Sequence, residues 1–267
     1  MIRVELAKLL RRPRTWVTLG LLAGLPTLVA VFIKTTNIAP RPGQGPAFLS
    51  AVLSNGALFP AAALAIVLPL FLPVAVAVVA GDSVAGEAQA GTLRYLLIRP
   101  VSRTRLLVAK LLASAAFTLL AVVVVSGVAY VVGTRLFGTQ PLPSLSGQQI
   151  EGNDATFRIL VTVAYVGWSM LAVAAIALFL STVTDSPLAA ALGSISVIVT
   201  SQVLDLLDAA ASVRPYLPTR YWLSFVDLFR TPILWRDVQH GFLLQGVYVG
   251  VFLALAWANF ASKDVTS

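Results

Sequence analysis

Six long stretches of this chain carry no charged residue at all, and apolar side chains dominate each of them. They run from Thr15 to Ile33, Leu58 to Ala80, Leu111 to Thr134, Ile159 to Thr184, Ser186 to Leu204 and Gly241 to Ser262. A helix rises about 1.5 Å per residue, so roughly 20 residues cross the hydrocarbon core with every backbone polar group bonded internally. All six meet or nearly meet that length. Runs such as Leu119 to Val125 lack the alternation of a membrane β-barrel strand. The expected fold is therefore all-α. It is a polytopic integral membrane protein with spans at about 15–33, 58–80, 106–134, 157–184, 186–208 and 241–262.

Composition agrees, with 58% apolar and 11% charged residues, a balance ill suited to a water-soluble core. The spans and their connections consume nearly all 267 residues, which predicts one transmembrane domain over 1–267 and no soluble one. The net charge of +8 would suit nucleic acid in a soluble protein. Here the positive residues have a simpler place. Arg3, Lys8, Arg11, Arg12 and Arg14 precede the first span, and Arg94, Arg99, Arg103, Arg105 and Lys110 lie in or near the second connection. That asymmetry predicts a multi-pass protein with both termini cytoplasmic, and no nucleic-acid partner. Arg214, Arg220, Arg230 and Arg236 fall outside in this topology, in a connection long enough to weaken the rule and interspersed with Asp227 and Asp237. The first apolar run is long and no small-residue cleavage site follows it, so it reads as a retained span.

Ile2, Leu6, Leu9 and Leu10 share one helical stripe, with most basic residues off it. Residues 1–14 thus read as an amphipathic entry helix, serving as a surface helix or simply as a topogenic anchor. Pro69 and Pro73 interrupt the second span, where they bend the helix or reflect the tolerance of membrane helices for proline. The connection 209–240 carries Tyr216, Tyr221, Trp222, Phe225, Phe229 and Trp235 among arginines. Such a mixture suits the membrane interface, with Arg220 to Phe229 as a short helix lying there or dipping inward.

Enzymatic readings lack their parts. The chain has no cysteine and a single histidine, His240, which excludes thiolate chemistry and a two-histidine zinc motif. No Gly-x-x-x-x-Gly-Lys-Ser/Thr phosphate loop occurs. Asp205 and Asp208 lie on one helical face near the end of the fifth span. They mark either a cation site or merely the end of the span. Thr200, Ser201, Gln202 and Gln245 are candidate pathway-lining residues, although packing alone also selects such groups.

The segment 81–105 carries the functional signal. Thr92 can cap a short helix whose apolar face is Leu93, Leu96 and Leu97, Pro100 disfavours continuing it, and Ser102 is placed to cap the third span. Leucines and Tyr95 on the aqueous side need a cover, which a soluble partner supplies. Glu87, Gly91-Thr92-Leu93, Leu96-Leu97, Pro100-Val101-Ser102-Arg103 and Lys110 together resemble the type-2 ABC transporter permeases. Arg94 stands where many of that family carry an acid. The resemblance implies a coupling helix that docks in a groove of a separate ATP-binding subunit. Its contacts would come from Glu87, Gly91, Thr92, Leu93, Arg94, Tyr95, Leu96, Leu97, Pro100, Ser102 and Arg103. It also implies two such ATPase copies, which bind the ATP and Mg, a second permease copy or close relative, and no cofactor in this chain. The function expected is an export permease subunit; the other class considered is a non-transport assembly or sensor subunit.

Overall fold

The computed structural model describes residues 2–36, 55–92, 102–138, 142–143, 149–150 and 152–262. The described residues are almost entirely helical, and six helices are long and apolar enough to cross a membrane. A surface helix α1 (Ile2–Arg11) has no buried residue and runs straight into α2 (Pro13–Thr36). The turn between them follows from Pro13, which disfavours helical geometry at Arg12 yet suits the first position of the next helix. Two α2 side chains bond back to the end of α1: Thr15 Oγ1 donates to the Leu9 carbonyl at 2.8 Å and Trp16 Nε1 to that of Leu10 at 2.8 Å. These bonds satisfy carbonyls that the end of a helix leaves open.

The second span is not one helix, which corrects the single run expected at 58–80. A short helix α3 (Phe59–Val67), led by a 3-10 turn, stops before Pro69, and α4 (Phe71–Gln89) follows. Pro69 cannot donate within a helix and its ring clashes with the preceding turn. Pro73 has no N–H for the Pro69 carbonyl four residues back. That carbonyl instead accepts from Gln202 Nε2 of α7. Past the break, α4 continues through 81–89, so the first nine residues of the expected coupling segment prolong a span.

The remaining long helices are α5 (Arg103–Phe137), α6 (Gly152–Val183), α7 (Pro187–Leu206) and α8 (Trp235–Ser262). Two-residue strands, β1 (Leu142–Pro143) and β2 (Gln149–Ile150), pair antiparallel between α5 and α6. The centre of the bundle is α6, which packs against both α4 and α8, while α4 packs against α7. Ser181 of α6 enters the hydrogen-bond ladder of α4. Its hydroxyl donates to the Gly81 carbonyl at 2.6 Å and accepts from the N–H groups of Val84 and Ala85.

The connection between α7 and α8 folds inward as short 3-10 turns. In its longest, Trp222–Phe229, Trp222, Phe225, Leu228 and Phe229 are all buried in the main apolar core. Arg158 of α6, itself buried, donates to the carbonyls of Leu228 (2.7 Å) and Arg230 (2.8 Å). Tyr165 and Gln245 donate to the carbonyls of Tyr221 and Pro218. Irregular backbone is tolerated at such depth only where protein groups satisfy it. Those donors do so here.

Candidate functional site

At the end of the bundle that carries α1, helices α1, α2, α4 and α5 surround a polar cavity of about 280 Å³. Two acids of α4 organise it, and their spacing puts Asp82, Gly86 and Glu87 toward one side of the helix. Asp82 pairs with Arg12 at 2.7 Å and with Arg14. Gly86 makes room for that arrangement, because a Cβ there would meet the Asp82 carboxylate. Glu87 lies deeper. Its Oε1 accepts from Lys8 of α1 at 2.9 Å, and its Oε2 stands 2.9 Å from Lys110 of α5. The Lys110 ammonium also donates to the Ser83 carbonyl at 2.6 Å. Lys110 is 1% exposed and the Glu87 side chain 7%, so each ion depends on the other for solvation that water no longer supplies.

Lys8 sits at the rim of the cavity. Partial burial alone would draw its ammonium down, but the hydrogen bond and charge of Glu87, with smaller help from Glu5 and Asp82, hold it above the ordinary lysine value. Glu5, Asp82 and Glu87 oppose Lys8, Arg12, Arg14 and Lys110 around the cavity, leaving one positive charge in excess. Among the described residues no group of three or more potential metal ligands occurs. The arrangement is a joint in which ion pairs tie α1, α2, α4 and α5 together.

The end of α4 lies beside this joint. Gly91 adopts φ +67°, a conformation that glycine takes without steric cost. Gly91 N–H donates to the Ala88 carbonyl at 3.0 Å and Thr92 N–H to that of Glu87 at 3.0 Å, closing the helix with the paired bonds of a Schellman cap. The Thr92 hydroxyl also donates to the Glu87 carbonyl. Gly91 and Thr92 therefore end one helix here. Leu93, Arg94, Tyr95, Leu96, Leu97 and Pro100 lie outside the described residues. Ser102 has extended backbone and accepts from Arg105 N–H, capping α5. Arg103 donates to the Ala261 carbonyl at 2.9 Å, bringing a cation to the C-terminal end of α8.

The candidate pathway residues lie toward the opposite end. Ser201 hydrogen-bonds the Thr219 hydroxyl at 2.7 Å, Gln202 holds Pro69, and fully buried Gln245 donates to Pro218 at 2.7 Å. Thr200 is exposed and lines a shallow cavity with Tyr248. Ser201 and Gln245 hold the inward-folded connection, while Gln202 holds the break at Pro69.

Glu87 suits a charge contact with a partner or with the entry helix, and Lys8 of that helix supplies one; the pairing of Asp82 with Arg12 and Arg14 was not expected. A signal existed: Asp82 and Glu87 are the two acids in an otherwise basic connection. Lys110 at the start of an apolar helix is the kind of intramembrane charge that demands a counter-ion.

The sequence matches the model of the family described as "Protein of unknown function (DUF2705)" over residues 27–266, and the chain belongs to that family. This corrects the resemblance drawn to the type-2 ABC transporter permeases, whose family model does not match. No curated protein matches the chain.

Proposed function

We propose that this member of a family of unknown function is a transport permease subunit, moved by a separate ATP-binding cassette subunit that docks around residues 86–100. The observation that carries the reading is the position of Glu87. It ties α1, α4 and α5 together through Lys8 and Lys110 two residues before α4 ends. A displacement applied to the segment beyond Thr92 reaches three helices through one buried carboxylate. The chain has no phosphate loop of its own, so ATP and Mg belong to the partner, taken to be present in two copies. A second permease copy or a close relative completes the path. The α1 end of the bundle faces the cytoplasm of a bacterial cell, with both termini there. ATP shifts such a permease only as far as docking contacts differ between its states.

The test is co-purification and ATP-dependent transport in reconstituted vesicles with the ATPase encoded beside this chain. Leu96→Asp and Glu87→Arg are expected to abolish both. Unaltered assembly and flux in both variants overturns the docking assignment. Assembly without any flux in the unsubstituted complex favours a sensor or assembly role instead.

A further inference from the structure

At the end of the bundle away from α1, the helix break at Pro69, the end of α7 and the inward-folded connection enclose a second cavity, of about 290 Å³. A water molecule takes about 30 Å³ in the liquid, so the space suits a larger group. Asp205 and Arg220 both line it and pair with each other. Arg220 Nη1 donates to Oδ1 at 3.2 Å and Oδ2 at 3.4 Å. Both contacts come from Nη1; Nη2 and Nε have no acceptor among the described residues. Trp222, 3% exposed, also lines the cavity, and its buried indole N–H has no acceptor among the described residues. Buried donors in native proteins are almost always met, so this one points to an oxygen from outside the described residues.

The charges narrow the class. One carboxylate and one guanidinium sum to zero, so a simple anion would meet Asp205 and a simple cation would meet Arg220. A zwitterion satisfies both. The wall of the cavity includes Leu206 and Leu223, which are 82% and 44% exposed on a membrane-spanning bundle, and these offer an apolar path for a chain attached to the polar head. We propose that this cavity binds a zwitterionic head with a primary ammonium and an oxyanion. The ammonium pairs with Asp205, and the oxyanion takes the unused Arg220 edge and the Trp222 N–H. The Leu206 side identifies the source as an aminophospholipid. This site stands apart from the α1 joint and does not depend on the transport reading.

The experiment measures lipid retention by the full chain in detergent, using native mass spectrometry with added phosphatidylethanolamine, phosphatidylcholine or phosphatidylglycerol. Phosphatidylethanolamine is expected to bind about tenfold tighter than the other two, a preference equivalent to roughly one charge-assisted contact. Phosphatidylcholine has no N–H for Asp205, and phosphatidylglycerol has no cation. Asp205→Asn and Arg220→Gln should remove the preference, and Trp222→Phe, which keeps an aromatic side chain but replaces the indole and its N–H with a smaller phenyl ring, should reduce it severalfold. Equal retention of the three lipids by the unsubstituted protein overturns the proposal, as does a preference unchanged in folded Trp222→Phe and Arg220→Gln. Free phosphoethanolamine separates the sources. Its failure to displace bound phosphatidylethanolamine at equal concentration supports the lipid, while complete displacement overturns the lipid assignment and leaves a soluble zwitterion as the ligand.

Discussion

Lys110 Nζ lies 2.9 Å from Glu87 Oε2, and the lysine side chain is 1% exposed. A buried pair of this kind costs heavily to form and costs more to break on one side. Glu87→Ala, which strands the Lys110 ammonium, is expected to destabilise the protein by about 3–5 kcal/mol. The double replacement Glu87→Leu with Lys110→Met removes both charges and is expected to cost far less. Thermal unfolding in detergent of Glu87→Leu, Lys110→Met and the pair checks this, and additive losses would contradict the coupling.

The attachment of α1 has a defined pH window. Lys8 is held above its ordinary value of 10.5 by Glu87, so the folded state binds that proton more tightly than the unfolded state. Its contribution is complete below that pH and is lost as pH rises through the higher folded value. A spin label on exposed Val4, introduced as Val4→Cys, should stay ordered at neutral pH and gain mobility only in strongly alkaline solution. Lys8→Met should remove the alkaline transition.

Arg158 anchors the connection between α7 and α8 through two carbonyls and the Asp154 carboxylate at 3.0 Å. Arg158→Met leaves the Leu228 and Arg230 carbonyls without their donor, at about 1–3 kcal/mol for each that stays buried. Proteolysis should then cut within 208–234 faster than in the unsubstituted protein, with the helices on either side intact.

The break in the second span predicts a rescue. Gln202→Leu deprives the Pro69 carbonyl of its donor and is expected to cost about 1–3 kcal/mol. Adding Pro73→Ala restores an N–H four residues after Pro69 and should recover most of that loss, because the carbonyl regains an intrahelical partner. Unfolding midpoints of the two single variants and the pair measure the recovery.

Orientation is open to the same directness. Single cysteines at Ser102 and Ser212, both exposed, should label from opposite sides of the membrane in this cysteine-free chain. Labelling from one side only contradicts the six-span arrangement.

Local pattern accounts for what was legible in the sequence. The apolar stretches placed six membrane-long helices, Pro13 placed the corner between α1 and α2, and Ser102 placed the start of α5. Each of these rests on backbone chemistry and hydropathy within a few residues. Proline spacing also held the break at Pro69, although a single uninterrupted span was the simpler expectation. Glycine was under-read at Gly91, where Ala90-Gly91-Thr92 closes α4 and the segment had suggested only the start of a new helix.

The sequence by itself determined that this chain is helical, with several membrane-long apolar stretches, no cysteine and no phosphate-loop motif. Only the tertiary structure decided which charges meet. Lys8 and Glu87 are 79 residues apart, and Gln202 and Pro69 are 133 apart. No periodicity encodes such pairings. They arise because a polar group removed from water must find a partner wherever the packing of neighbouring helices places one.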